Sequence, residues 1–289
     1  MQPLTGTGIW AFQLRYGDAG AIREMAIELE ELGYSALWIP DVGGDLFSAV
    51  EVLMGATQRT TIATGILNLW MHTPEETAQQ HARLTAAHGD RFLVGIGVSH
   101  QHLIDRTEAG RYNKPLSAMR SYLDGLDATE HPLPRERRVL AALGPKMLQL
   151  ARDRSAGAHP YNVTPEHTAI AREAVGPDAL VATEQAVALT TDPVVARAAG
   201  RQHASIYLNC RTTRTTCVAL ASPTRTSPMA GATGSSMPSW RGVTRPRSRR
   251  GCRSTATPAP TTCASRSSTS TTLRRRRSGA LSRRRSSSS

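Results

Sequence analysis

The stretch Thr60–His100, TTIATGILNLWMHTPEETAQQHARLTAAHGDRFLVGIGVSH, predicts a strand, a helix and a second strand in succession. Its two ends, Thr60–Leu67 and Arg91–Val98, are largely apolar, as is typical of strands that are buried on both faces. Because a helix connects them, the two strands are expected to run parallel through a right-handed crossover.

The helix between these strands has sequence signals at both ends. Thr73 is suited to cap the free amides of the first turn, and Pro74 suits the first helical position. Glu76, three residues after Thr73, is expected to complete a capping box. Gly89 is expected to end the helix.

Polar residues gather where each strand of this pair ends. Asn68, Trp70 and His72 follow the first strand, and Ser99 and His100 follow the second. In a parallel barrel both groups lie on the same rim, where such folds build their sites. This rim is therefore the predicted functional site.

The rest of the first 209 residues repeats the alternation of strand and helix. Apolar segments predict five more strands, at Gly6–Phe12, Ser35–Ile39, Arg138–Leu143, Gly157–Pro160 and Leu180–Leu189. Helices are predicted between them, beginning near Asp18, Asp45, Pro115, Gly144, Pro165 and Asp192. Gln202–Leu208 is expected to return toward the core. This alternation predicts an α/β fold, a (β/α)8 TIM barrel that lacks its eighth strand and carries a basic C-terminal tail.

Charge is divided unevenly along the 289 residues of the chain. Cys210–Ser289 contains 17 arginines and no Asp, Glu or Lys, while the formal net charge of the whole chain is +12. Since the tail contributes +17, residues 1–209 carry a net charge of −5, and they contain no cysteine.

A body without a disulfide framework or a thiolate metal site fits a reducing cytoplasm. The sequence shows no signal peptide and no apolar run of membrane length, so we expect a cytoplasmic protein without a membrane partner.

Two domains are therefore distinguished, a barrel body over residues 1–209 and a tail over 210–289 that is rich in Arg, Ser, Thr and Pro. The tail has three interpretations: a disordered basic segment, a nucleic-acid-binding arm, or a segment translated in the wrong reading frame. We favour the frameshift, because moving each codon by one base permits ordinary amphipathic sequence. In that frame Thr255–Ser270 permits RDAGADHVCVQVLDVD, whose buried strand would be the missing eighth. The interpretation places the loss of one base near the codon of Asn209.

Several segments of the body resemble one known family. They are GIW in the first strand, WIPD after the second, TGILN and TPEETAQQHARL in the third unit, GIGVSH in the fourth, YNKPLSAMRSYLDGLD, and VLAALGPKMLQLARDRSAGAHPY. Over Gly6–Asn209 the chain resembles the luciferase-like oxidoreductases, above all the branch that uses the deazaflavin coenzyme F420. The resemblance implies a (β/α)8 barrel with flavin or deazaflavin at the carboxyl-terminal rim. It also implies an enzyme that moves a hydride between C5 of the deazaflavin and a small organic substrate.

Three titratable residues on the predicted rim are candidate catalytic groups. Asp41 ends the second strand, and by resemblance it lies beside the cofactor ring or the substrate. His72 and His100 follow the third and fourth strands, and an imidazole could move a proton to or from a substrate oxygen. Asp41 could equally cap a loop, and both histidines could be structural. Relatives often carry a histidine directly after this acid, where Val42 stands here.

The resemblance also implies residues that contact the cofactor ring. Asp41 and Asn68 are candidates for its polar edge, although Asn68 could instead cap the strand. Gly65 and Ile66 stand where the family often has a cis peptide bond under the ring. The alternative for Gly65 is a close approach between backbones.

Two strand–helix turns are candidates for binding the phosphate of a deazaflavin tail. Gly144, Pro145 and Lys146 open a helix whose free amides, together with the lysine, suit an anion. Tyr161 and Thr164 follow the sixth strand and are similar candidates. Either turn could also be an ordinary helix start.

Other functions stay open at this point. An FMN-dependent luciferase-like monooxygenase differs in that its reduced cofactor reacts with oxygen. A catalytically silent product would result from a barrel without its closing strand. A further alternative is that the basic tail is a nucleic-acid-binding arm, although any Arg-rich tail would show some salt-dependent binding. The histidines show no metal-ligand spacing, and no GxGxxG motif indicates a Rossmann site. The expected partner is a small-molecule substrate, with a homodimer left open as the oligomeric state.

Overall fold

The computed structural model describes residues 4–106 and 108–208 of the chain. The predicted eighth strand and the tail over 210–289 lie outside the described residues. The strands are β1 Gly8–Trp10, β2 Ala36–Ile39, β3 Thr61–Thr64, β4 Leu67–Asn68, β5 Phe92–Gly97, β6 Arg138–Leu140, β7 Gly157–Ala158 and β8 Leu180–Val181. The helices are α1 Ala19–Glu31, α2 Leu46–Ala56, α3 Pro74–His88, α4 Gln101–Ile104, α5 Pro115–Ala128, α6 Pro145–Arg154, α7 Pro165–Val175 and α8 Pro193–Leu208.

All strand pairs are parallel, and the sheet has the order β1-β2-β3-β5-β6-β7-β8, with β4 beside β5. The sheet is rolled, because the ring of Trp38 in β2 stacks on the ring of His159, the residue after β7, with 4.5 Å between centroids. Three strands separate β2 from β7 along the sheet, so a flat sheet could not bring these rings together. Among the described residues β1 and β8 each pair with one strand, as expected of a TIM-like barrel that is not closed there.

Side chains alternate between the inside of the roll and the layer under the helices. The inner cluster consists of Ala36, Trp38, Ala63, Leu93 and Val139, with Trp10, Leu180 and Ala182 packed against it. The intervening strand residues pack beneath the helices, among them Leu37, Ile39, Ile62, Phe92, Val94 and Ile96. Both faces of the strands are therefore apolar, which explains their continuous hydrophobic runs.

Two glycines of β5 leave space for the neighbouring strand. A Cβ on Gly95 would lie 2.0 Å from the carbonyl oxygen of Thr64. One on Gly97 would lie 2.7 Å from Cδ1 of Ile66. The GIG sequence therefore allows the chain between β3 and β4 to lie against β5.

Several predicted strands differ from the observed ones. The third is divided into β3 and β4, with Gly65 and Ile66 between them. The seventh, predicted over Leu180–Leu189, is limited to β8 and one further bridge, since its partner β7 is itself two residues long. Gln202–Leu208, which was predicted to return toward the core, forms the end of helix α8, in which Ala204 is buried.

The helix ends follow the sequence signals closely. Asp18 caps α1 by accepting hydrogen bonds from two backbone amides, and Thr73 Oγ1 accepts one from the amide of Glu76 at 3.1 Å. Gly89 ends α3 at a φ of 84°. The capping box is only half formed, because the carboxylate of Glu76 contacts His72 instead of the backbone of Thr73.

A partly exposed hydrogen-bond network lies at the amino-terminal edge of the sheet. Oε2 of Glu30 accepts hydrogen bonds from the amides of Arg59 and Thr60, both at 2.7 Å, and Gln58 N contributes another at 3.1 Å. Partial burial alone would raise the pKa of Glu30, but these amides outweigh it and hold the pKa at about 2. The carboxylate thus fixes the turn that leads into β3.

We expect Glu30→Gln to lower the free energy of unfolding by about 1–2 kcal/mol at neutral pH, because charge-assisted bonds to the turn are lost and solvent screens part of their strength. Since the folded pKa is depressed, this contribution is complete above the ordinary value of 4.5 and is lost as the pH falls toward about 2. Urea unfolding at a series of pH values measures the contribution of Glu30 to the free energy of unfolding. The exposed neighbour Glu31→Gln is the control, and equal effects of both variants would contradict the assignment.

Candidate active site

Asp41, Asn68 and His72 meet on the carboxyl edge of the sheet. Asp41 follows β2, and its Oδ2 accepts hydrogen bonds from the amide of Asn68 at 3.0 Å and from Nε2 of His72 at 3.2 Å. Asp41 is 6% exposed. Oδ1 of Asp41 is also buried and has no hydrogen-bond partner among the described residues. The sequence placed these residues on one rim, and the structure brings them into contact.

His72 lies between two carboxylates. Its Nδ1 lies 3.3 Å from Oε2 of Glu76, one turn further along the chain, and the ring of Phe47 packs edge-on against the imidazole at 5.3 Å. Burial alone would lower the pKa of His72, but the hydrogen bonds and charges of Asp41 and Glu76 outweigh it and raise the pKa above its ordinary value. His72 therefore holds a proton more readily than an ordinary histidine.

Gly65 and Ile66 are joined by a cis peptide bond. The indole Nε1 of Trp10 donates a hydrogen bond to the carbonyl of Gly65 at 2.7 Å. A Cβ on Gly65 would lie 2.7 Å from Cδ1 of Trp10 and 3.2 Å from Nε2 of His159. Gly65 therefore allows a close approach to two aromatic side chains.

His100 and Tyr161 form a second group on this edge. Nε2 of His100 lies 3.3 Å from the hydroxyl of Tyr161, and its ring stacks on that of His102 at 5.8 Å. Burial lowers the pKa of His100, and the charge of His102 lowers it further. His100 is therefore suited to be neutral and to accept a proton, the opposite tendency to that of His72.

Two further titratable residues were missed at the sequence level. His159 follows β7, donates from Nδ1 to the carbonyl of Ala182 at 2.6 Å, and has a pKa lowered to about 4 by burial. Glu184 is bridged to Tyr161 by backbone pairing, and burial raises the pKa of its carboxyl to about 7. Both stand where strands end, which is the signal that could have identified them. At the sequence level His159 and Glu184 were placed inside predicted strands and assigned no functional role.

The predicted phosphate residues lie at the starts of α6 and α7. Gly144 caps α6, Pro145 is its first residue, and Lys146 is exposed. Thr164 caps α7, and its Oγ1 accepts from the amide of His167 at 3.3 Å.

The two helix starts are linked. Nε2 of His167 donates to the carbonyl of Leu143 at 2.8 Å, which joins the first turn of α7 to the loop before α6. Thr164 is thus engaged in capping, whereas Lys146 is exposed.

A cavity of about 550 Å³ lies at the opposite, amino-terminal edge, around Glu30, Thr60 and Arg91. Two of its charged groups already hold neighbouring chain atoms: Glu30 binds the turn amides, and Arg91 donates to five acceptors, including the carbonyls of Met54 and Thr60. We therefore assign this edge a structural role. Within residues 4–106 and 108–208, no group of His, Cys, Asp or Glu could hold a metal ion, and no helix could span a membrane.

The rolled parallel sheet, with carboxylate and imidazole groups on its carboxyl edge, defines an α/β barrel of the kind that binds a ligand on its rim. The sequence profile described as "Luciferase-like monooxygenase" matches residues 4–204, and the chain belongs to this family.

A relative from Mycobacterium tuberculosis (strain ATCC 25618 / H37Rv), provisionally named as a coenzyme F420-dependent oxidoreductase, is 26% identical over 118 residues, which is 40% of this chain and 33% of the relative. The chain thus matches about a third of the length of this curated relative.

Two solved structures share the fold. Coenzyme F420-dependent tetrahydromethanopterin reductase from Methanopyrus kandleri is 17% identical, with a TM-score of 0.54 and coverage of 64% of this chain and 67% of that one. An F420-dependent secondary alcohol dehydrogenase in complex with an F420–acetone adduct is 15% identical, with a TM-score of 0.51 and coverage of 62% and 68%. At these identities the likeness concerns the fold alone.

Proposed function

We propose that this chain is an oxidoreductase that moves a hydride between coenzyme F420 and a small organic substrate on the carboxyl rim. The observation that carries the proposal is the Asp41 carboxyl, buried on the rim between Asn68 and His72 with one oxygen unpartnered. The name of the relative from Mycobacterium tuberculosis, a coenzyme F420-dependent oxidoreductase, supports the choice of cofactor.

The polar atoms of the rim suit a ring with a polar edge. Asp41 Oδ1, Thr183 Oγ1 and His167 Nδ1 are buried without a hydrogen-bond partner among the described residues. Asp41 and Thr183 follow β2 and β8, and His167 lies in the first turn of α7. Buried polar groups in native proteins generally find partners, so these atoms are candidate contacts of a cofactor or substrate. When bound, the deazaflavin would accept or give a hydride at C5 of its ring.

The two rim histidines would have different roles in proton transfer. His100, whose pKa is lowered by burial and by His102, is suited to take a proton from a substrate oxygen. His72, whose pKa is raised by its carboxylates against the effect of burial, is suited to hold one. Environments that shift the pKa values of two titratable groups in opposite directions are typical of acid and base pairs in active sites.

We expect Lys146→Ala to weaken F420 binding by about 1–3 kcal/mol, because one charge-assisted bond to the phosphate of the cofactor tail would be lost. Fluorescence titration with F420 measures the change. Arg120→Ala, which removes an exposed charge from α5, is the matched control. Equal affinities of the wild type and Lys146→Ala would remove this lysine from the site.

An FMN-dependent monooxygenase is the second candidate, favoured by the monooxygenase description of the family. Titration of the protein with F420 and with FMN compares the two cofactors directly. Oxygen consumption provides a second test, since reduced FMN reacts with oxygen and reduced deazaflavin does so poorly. Tighter binding of FMN, with oxygen uptake, would replace the F420 proposal.

A further inference from the structure

Three titratable side chains form a row from the buried rim to the protein surface. The side chain of Asp41 is 0% exposed and that of His72 is 10% exposed. Glu76, beyond His72, is 45% exposed. The imidazole of His72 contacts both carboxylates, at 3.2 Å through Nε2 and at 3.3 Å through Nδ1. His72 thus bridges a carboxylate that is shielded from water and one that contacts it.

The surrounding elements hold this row in place. The capping bond between Thr73 Oγ1 and the amide of Glu76 fixes the first turn of α3, from which the Glu76 side chain reaches back to His72. On the α2 side, Phe47 packs edge-on against the imidazole. The titratable groups that face His72 are therefore Asp41 at the end of β2 and Glu76 on α3.

We propose that Asp41, His72 and Glu76 form one proton-exchange unit, in which Glu76 positions His72 and connects the buried pair to solvent. The role of the unit in turnover rests on the proposed function, whereas its proton exchange is a property of this chain alone. Glu76 touches neither cofactor nor substrate in this scheme, so it is a positioning residue.

The unit moves a proton without changing the net charge of the buried pair. With Asp41 ionised and His72 protonated, the pair is neutral overall. When Oδ1 of Asp41 takes a proton from a ligand on the rim, the imidazolium loses its counter-charge and releases its Nδ1 proton to Glu76 and water. One proton enters and one leaves, and the pair is again neutral. This coupling avoids an unpaired charge in a buried site, which is strongly unfavourable.

The test compares Glu76→Gln with Glu75→Gln, since both variants remove one exposed carboxylate from the first turn of α3. Nuclear magnetic resonance of the full chain with 15N-labelled histidine would follow the titration of His72, with His72→Gln used to assign its signals. We expect the pKa of His72 to fall toward its ordinary value in Glu76→Gln and to stay at the wild-type value in Glu75→Gln. Glu76→Asp, which keeps the charge on a shorter side chain, should lie between them.

Activity provides the second readout. It would be measured in the 289-residue chain and in the form with one base restored at the codon of Asn209. Turnover of Glu76→Gln should fall by about tenfold with an altered pH profile, while F420 affinity stays unchanged. Identical His72 titrations in the Glu76 and Glu75 variants would overturn the proton-exchange unit. If the titrations differ as expected but no form binds F420, the unit stands and the proposed function fails.

Discussion

The His100→Ala variant is expected to lose about a hundredfold or more of turnover while keeping nearly all of its F420 affinity. The imidazole lies 3.3 Å from the hydroxyl of Tyr161, and burial together with His102 lowers its pKa, so it is available as a proton acceptor on the rim. Steady-state kinetics measures turnover, and a cofactor titration measures affinity. His131→Ala, a substitution of an exposed histidine, is the control.

Turnover should also depend on pH through the protonation of His100. A base acts in its neutral form, so turnover should fall on the acid side as His100 becomes protonated. Because its pKa is lowered, this loss should occur below the ordinary histidine value of 6.5. Tyr161→Phe should reduce turnover less than His100→Ala does. A folded His100→Ala protein with wild-type turnover would return His100 to a structural role.

Local signals in the sequence predicted the local structure well. The caps at Asp18 and Thr73 and the helix end at Gly89 depend on residues within a few positions of one another, so spacing was enough to locate them. The break between β3 and β4 could not be located in the same way. It depends on how Gly65 meets Trp10, which lies on another strand, and on the space left by the glycines of β5.

The candidate site was predicted as an edge of the sheet, but not as a set of contacts. Asp41, Asn68 and His72 each follow a strand, and parallel topology alone places them on one rim. The bond between His72 and Asp41 joins residues 31 positions apart, and the path of the loops between them decides it. The same holds for Glu76, whose side chain was predicted to cap its own helix and instead contacts His72.

The unpaired edges of the sheet are where the closing strand of the proposed shifted frame would lie. Among the described residues β1 pairs with β2 alone and β8 pairs with β7 alone, so both have unpaired edges there. Apolar side chains in the segment after β8 are exposed, including Leu189 at 92% and Val194 at 68%. A closing strand and its helix would cover such edges and side chains. The tail over 210–289 has 17 arginines and no acidic residue, whereas the shifted frame permits an apolar strand over Thr255–Ser270.

We therefore expect restoration of one base at the codon of Asn209 to raise soluble yield several-fold or more, because unpaired edges and exposed apolar surface promote aggregation and loss of protein. The restored protein should also have a pI below the value of about 10.5 for the printed chain. Both forms would be expressed in parallel and compared by soluble yield, protease resistance and F420 binding, and the encoding DNA would be sequenced. If the printed chain is as soluble, as protease-resistant and as competent in F420 binding as the restored one, the closing strand is not needed and the frameshift has no functional consequence. A gene without a one-base deficit relative to close relatives would remove the proposal altogether.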